Sequence, residues 1–176
     1  MKSIHFVFVL LLIIAGITAY IFMAEQPPGA TGLQHTSING LSVGGDRGSQ
    51  VSALGNAPYY FQVAVILLAG AMLYMGIAPH RRDAQLKLFF AVGLGFALFV
   101  WTMVYTGYEA YLATGESNIA FGFPVPTTWM LWGIWGSFVV FDLFYVVAFR
   151  RYFLPKEDEA AFDALVREIK SEQEAL

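Results

Sequence analysis

Few side chains in this 176-residue chain could carry chemistry. There are three histidines, His5, His35 and His80, and no cysteine. A b-type haem needs axial ligands, usually histidines, facing one another inside a helix bundle. His5 stands at the edge of an apolar run, His35 in a polar loop and His80 beside Arg81 and Arg82. No two of them could face each other across one site. No Asp/Glu/His cluster has metal-ligand spacing, and HExxH, phosphate-loop and nucleophile-elbow motifs are missing. The lack of cysteine removes disulfides, thiolate zinc, iron–sulfur clusters and thiol nucleophiles. The expectation is a chain that is not an enzyme and holds no metal and no cofactor.

Two carboxylates remain, Glu109 and Asp142, each in an otherwise apolar stretch. An ionisable residue inside a membrane span is costly, so it faces protein or water and is a functional candidate by default. Glu109 falls near the end of its stretch, where an interfacial, hydrated role is the plainer reading. Asp142 is deeper, two helical turns before Arg150 and Arg151. Helical spacing puts Trp135 on nearly the same face as Asp142. Trp129 and Trp132 fall on an adjoining stripe, with Gly133 and Gly136 among them. Another apolar run carries the small-xxx-small pairs Gly93/Ala97 and Ala91/Gly95, which favour close helix contact. Two readings stand side by side. In one, Trp129, Trp132, Trp135, Gly133, Gly136, Asp142, Gly93 and Ala97 form an interface to another membrane protein. In the other, they serve packing within the chain plus an aromatic belt at the membrane surface.

The elements that would position these residues follow from composition. Hydrophobic residues make up 57% of the chain and charged residues 13%, about half the charge of ordinary soluble domains. A globule of this length could not hide so much apolar surface from water. Four runs, about Ile4–Met23, Tyr59–Ala78, Leu88–Tyr108 and Thr128–Phe149, approach the ~20 residues a membrane helix needs. They are apolar all round, unlike the alternating strands of a barrel. The fold class is therefore all-α: a polytopic membrane protein of four transmembrane helices, with a membrane domain over residues 1–155 and a tail over 156–176.

Orientation follows from the basic residues. With the N-terminus inside, nine of the ten Lys and Arg residues are cytoplasmic and only Arg47 lies outside, a strong positive-inside distribution. The expected topology has both termini cytoplasmic, in the inner (plasma) membrane. The first run is longer than a signal-peptide core, and Ile17 and Phe22 are poor −3 residues for cleavage, so an uncleaved anchor is expected. The net charge of −3 offers nothing for nucleic acid.

The 35-residue outer loop, 24–58, has seven glycines and three prolines. Its Asn39-Gly40 between short apolar stretches is a hairpin signal. Pro79–Gln85 reads as a tight cytoplasmic turn, and Ala113–Pro126 as a short outer loop stiffened by Pro124 and Pro126. In the tail, Pro155 followed by Glu157, Asp158 and Glu159 suits a helix start. Phe162, Leu165, Val166 and Ile169 share one face of that helix and acidic residues the other. An acidic face disfavours anionic lipid. It fits docking on a partner's cytoplasmic surface, with a solvated tail as the alternative.

From Leu88 to Ala161 the layout is a span containing Trp101, a short outer loop, Gly122-Phe123-Pro124, a Trp-rich span from Trp129, Arg150-Arg151, and Leu154-Pro155-Lys156-Glu157-Asp158-Glu159. This half resembles the small accessory membrane subunits associated with sodium/solute symporters, of the sodium/pantothenate symporter-associated type. The chain departs from that pattern in its two preceding spans and its glycine-rich loop. The resemblance implies a non-catalytic accessory subunit bound to a large transporter, in keeping with residues that offer no redox or hydrolytic site. Two alternatives share these features: a supernumerary subunit of a respiratory or photosynthetic complex, and a small homo-oligomeric transporter or membrane enzyme. In each case the partners are the lipid bilayer and a larger membrane protein or further copies of the chain.

Overall fold

The computed structural model describes residues 3–25, 27–28, 32–45 and 47–174. The other positions of the long loop and of the two ends, Lys2 among them, lie outside the described residues. The chain is mostly helical: α1 (Ser3–Met23), α2 (Arg47–Leu54), α3 (Ala57–Met75), α4 (Ala84–Thr114), α5 (Val125–Thr128), α6 (Trp135–Tyr152) and α7 (Lys156–Glu174). Two small antiparallel hairpins accompany them, β1 (Leu33–Gln34) with β2 (Ser42–Val43) and β3 (Ile119–Ala120) with β4 (Phe123–Pro124). Four helical stretches are long and apolar enough to cross a membrane: Ile4–Met23, Ala57–Met75, Ala84–Thr114 and Val125–Tyr152.

The expected runs and the observed helices differ chiefly at their ends. The helix expected over 88–108 runs over 84–114, because Asp83 caps its start and Gly115, at φ 71°, ends it. The Asp83 side chain accepts the Leu86 N–H at 2.8 Å, satisfying one of the free donors of the first turn. The span expected over 59–78 begins at Ala57 and ends at Met75, followed by a 3-10 turn at Pro79–Arg81. The stretch expected as plain helix from Thr128 instead opens into a π turn over Trp129–Ile134 between α5 and α6. The Asn39-Gly40 pair does lie in a hairpin, but within a seven-residue loop rather than a two-residue turn. There His35 N–H donates to Leu41 O at 2.8 Å. The long loop also contains α2, which its polar sequence did not announce.

The helices stand mainly in a row: α1 on α3, α3 on α4, and α4 on the segment from α5 through α6. Small residues set two of these seams. A Cβ on Gly70 of α3 would collide with Leu94 of α4. One on Gly133 of the π turn would lie 2.7 Å from Val100 Cγ1. The tightest core is at the end of the bundle that holds Arg81, where Ile77, Leu86, Phe90 and Tyr152 are buried. Phe89 and Phe144 stack there with ring centroids 3.9 Å apart. At the opposite end, Tyr59 stands between Trp101 and Tyr105, and its hydroxyl pairs with Thr102 Oγ1 at 3.1 Å.

Candidate partner interface

Two places gather polar side chains. The first is the arginine cluster at the end of the bundle where α3, α4, α6 and α7 meet. Arg82 donates to Ile77 O at 2.9 Å and Met75 O at 3.2 Å, and lies over the Tyr74 ring. It thereby caps the free carbonyls where α3 ends, a place that favours cations. Arg81 does the same after α6, donating to Phe153 O at 3.0 Å, and pairs with Asp158 of α7. Arg150 pairs with Glu159. Arg151 donates to Asp83 at 2.6 Å, and the Tyr152 hydroxyl donates to the same carboxylate at 3.0 Å. The Leu86 N–H, then Tyr152 and Arg151, hold the Asp83 carboxyl below its usual range by bonding to the ionised form. The arrangement is structural: each arginine of the cluster is committed to a carbonyl or a carboxylate. The sequence did not point to it, although an Asp just before an apolar run is the signal of such a cap.

The second place is an open groove of about 700 Å³ between α3 and α6, floored by α4. Its lining includes Gln62 and Leu73 of α3, Ala97 and Trp101 of α4, and Ser137 and Asp142 of α6. Trp101 N–H is satisfied by Tyr59 O at 3.2 Å, and Ser137 by Gly133 O at 2.8 Å. Gln62 and Asp142 make no hydrogen bond or ion pair among the described residues. Asp142 is nine residues before Arg151 on α6, about 14 Å along the helix, inside the stretch Val125–Tyr152 that is long and apolar enough to cross a membrane. The arginines that flank α7, Arg81, Arg150 and Arg151, are spent elsewhere, as above.

The other expected interface residues divide. Gly93 is covered within the chain, since a Cβ there would lie 2.7 Å from the Phe141 ring. Gly133 is covered by Val100, and Trp129 packs edge-on against Phe99 with centroids 5.6 Å apart. Ala97 lines the groove. Trp132 and Trp135 are exposed, and a Cβ on Gly136 would meet nothing within 4 Å. The π turn over Trp129–Ile134 sets Trp129, Trp132 and Gly133 apart from the α-helical stretch that holds Trp135, Gly136 and Asp142. Trp135 shares a helix with Asp142 but does not line the groove. Glu109 is exposed on α4, and His5, His35 and His80 lie on separate elements, α1, the β1–β2 loop and the 3-10 turn. No group of three or more His, Asp or Glu that could hold a metal occurs among the described residues.

Comparison with known proteins finds no matching family model, no matching curated protein and no matching solved structure.

Proposed function

We propose that the chain is a non-catalytic accessory subunit of a larger membrane assembly, and that the α3–α6 groove receives a helix of its host. The observation that carries this reading is Asp142, a carboxylate at span depth in an apolar groove with no partner among the described residues. An unpaired carboxylate costs about 2.5–3.5 kcal/mol at the centre of a span on insertion scales, and less toward an interface. A host helix bearing a basic or hydrogen-bonding side chain at that depth removes the cost. Gln62 supplies a second open donor and acceptor on the facing wall.

Two further features support the reading. The face of α7 bearing Phe162, Leu165 and Ile169 is exposed, with acidic side chains around it, a surface suited to a basic and apolar patch on the host. The preferred host is a sodium/solute transporter, on the strength of Gly122-Phe123-Pro124 and the Trp-rich segment after it. In this reading both termini are cytoplasmic, in the inner (plasma) membrane.

The test is purification of the tagged chain from its native membrane in mild detergent, with co-purifying chains identified. The parent should bring down a large membrane protein. Asp142→Leu should insert normally yet lose most of that yield, and Asp142→Asn should lose less, because an amide still bonds. Equal yields from all three would remove the groove from the interface.

A further inference from the structure

The β3–β4 hairpin carries an unusual tip. Phe121 is the only non-glycine residue at positive φ among the described residues, at 50°, and Gly122 follows at 82°. Positive φ at both central positions is the signature of a tight hairpin turn that Asn-Gly or Gly-Gly fills with least strain. Here a bulky aromatic occupies the strained first position and projects outward, 85% exposed. Ile119 beside it is 67% exposed. The sequence from Ser117 through Thr128 contains no charged residue.

The hairpin is held rigidly. The buried Thr128 hydroxyl donates to Ala120 O at 2.7 Å, and Val125 N–H donates to Asn118 O at 2.9 Å. Pro126 packs on Gly107, where a Cβ would lie 3.1 Å from the proline ring.

Those contacts fix its height along the bundle. Lys87 and Glu109 are the first and last charged residues of α4. They stand 22 residues apart, about 33 Å along the helix, which matches the ~30 Å hydrocarbon thickness. Pro126 is level with Gly107, two residues inside Glu109, and Thr128 ties the hairpin's base to that level. The tip, one residue beyond the bonded Ala120, therefore lies close to the level of Glu109, at the edge of the hydrocarbon. Tyr108 and Tyr111 of α4, with ring centroids 6.4 Å apart, belong to the same level, as an aromatic belt does.

We propose that this hairpin is a lipid-binding element: Phe121 and Ile119 seat in the boundary between headgroups and acyl chains at the Glu109 end of the bundle, and fix the height of the α5–α6 segment. The occupant is lipid rather than protein because the tip lies at the edge of the hydrocarbon and its residues, Ile119 through Gly122, carry no charged or polar side chain to specify a protein partner. Lipid binding here requires only that the four helices cross a bilayer, and it stands apart from the proposed host.

The chain lacks cysteine, so Phe121→Cys, and separately Ile119→Cys, can carry an environment-sensitive fluorophore. A cysteine adds no more at Cβ than phenylalanine does, so it brings no new strain. The full-length protein is placed in lipid nanodiscs, which leave both faces open to solutes, with a label on Ser171→Cys as the aqueous reference. Labels at 121 and 119 should emit to the blue of the reference. They should be quenched by lipids carrying a spin label near the glycerol and be protected from iodide. Emission and iodide quenching equal to the reference would overturn the proposal. Protection from both quenchers would also overturn it, by showing that protein covers the tip. Position 119 keeps the test decisive if the Phe121→Cys variant does not fold.

Discussion

Gly133 and Gly136 are three residues apart, and their surroundings demand opposite outcomes from the same substitution. A Cβ on Gly133 would lie 2.7 Å from Val100 Cγ1 and 3.2 Å from Trp129 Cε3. Ordinary carbon contacts need about 3.5 Å or more, so Gly133→Ala forces the π turn and α4 apart by roughly 0.8 Å. Val100 cannot step aside, being 1% exposed. Overpacking of this kind costs about 1–3 kcal/mol. At about 2–4 °C per kcal/mol for a chain of this size, the melting temperature of the detergent-solubilised protein should fall by about 2–12 °C. Gly136→Ala meets nothing within 4 Å and gains up to about 1 kcal/mol of helix propensity, so its melting temperature should hold or rise. Tryptophan fluorescence during heating reads both, because Trp129, Trp132 and Trp135 surround the two sites. Equal melting temperatures for Gly133→Ala and the parent would refute the close approach of the π turn to α4. A loss at Gly136 as large as that at Gly133 would refute the open side of α6.

Two further outcomes follow from the arginine cluster and from the charge distribution. Because Asp83 titrates below its ordinary value in the folded chain, its stabilising contribution is complete above the unfolded carboxylate pKa of about 3.9 and fades as pH falls through the lower folded value. Asp83→Asn keeps a capping side chain but removes the charge, so its melting temperature should be lower than the parent's at neutral pH and should converge with it in acid. Parallel pH profiles would remove Asp83 from the account. For topology, single cysteines at Ser42, Ser117 and Ser171 treated with an impermeant thiol reagent on intact cells should label at the first two and not at the third. Labelling confined to Ser171 would invert the proposed orientation.

The four spans were legible because a run of ~20 apolar residues has almost no other use, and Asp142 stood out because a charge in such a run is expensive. What hid from the sequence depends on neighbours or on local geometry. Gly93 and Gly133 read equally well as surfaces for another chain. Only Phe141 and Val100, distant in sequence, identify them as internal contacts. The extension of α4 to Thr114 was masked because Tyr108 through Thr114 are polar enough for a loop yet still helical until Gly115 stops them. The π turn leaves no periodic trace, since one extra residue per turn over six positions shifts a repeat without erasing it. Phe121 at positive φ runs against its own residue preference, so no propensity argument could have found it.

Helices standing in a row make a fence rather than a tube. Such an arrangement has two sides and hardly any interior, so a solute path through it would need a second wall supplied from elsewhere. It also places α1 at the far post, attached mainly to α3. An addition at that edge, or its removal, would leave the α3–α6 trough almost untouched. The shape of the trough is therefore set by three helices, and the fourth is free to vary without altering it.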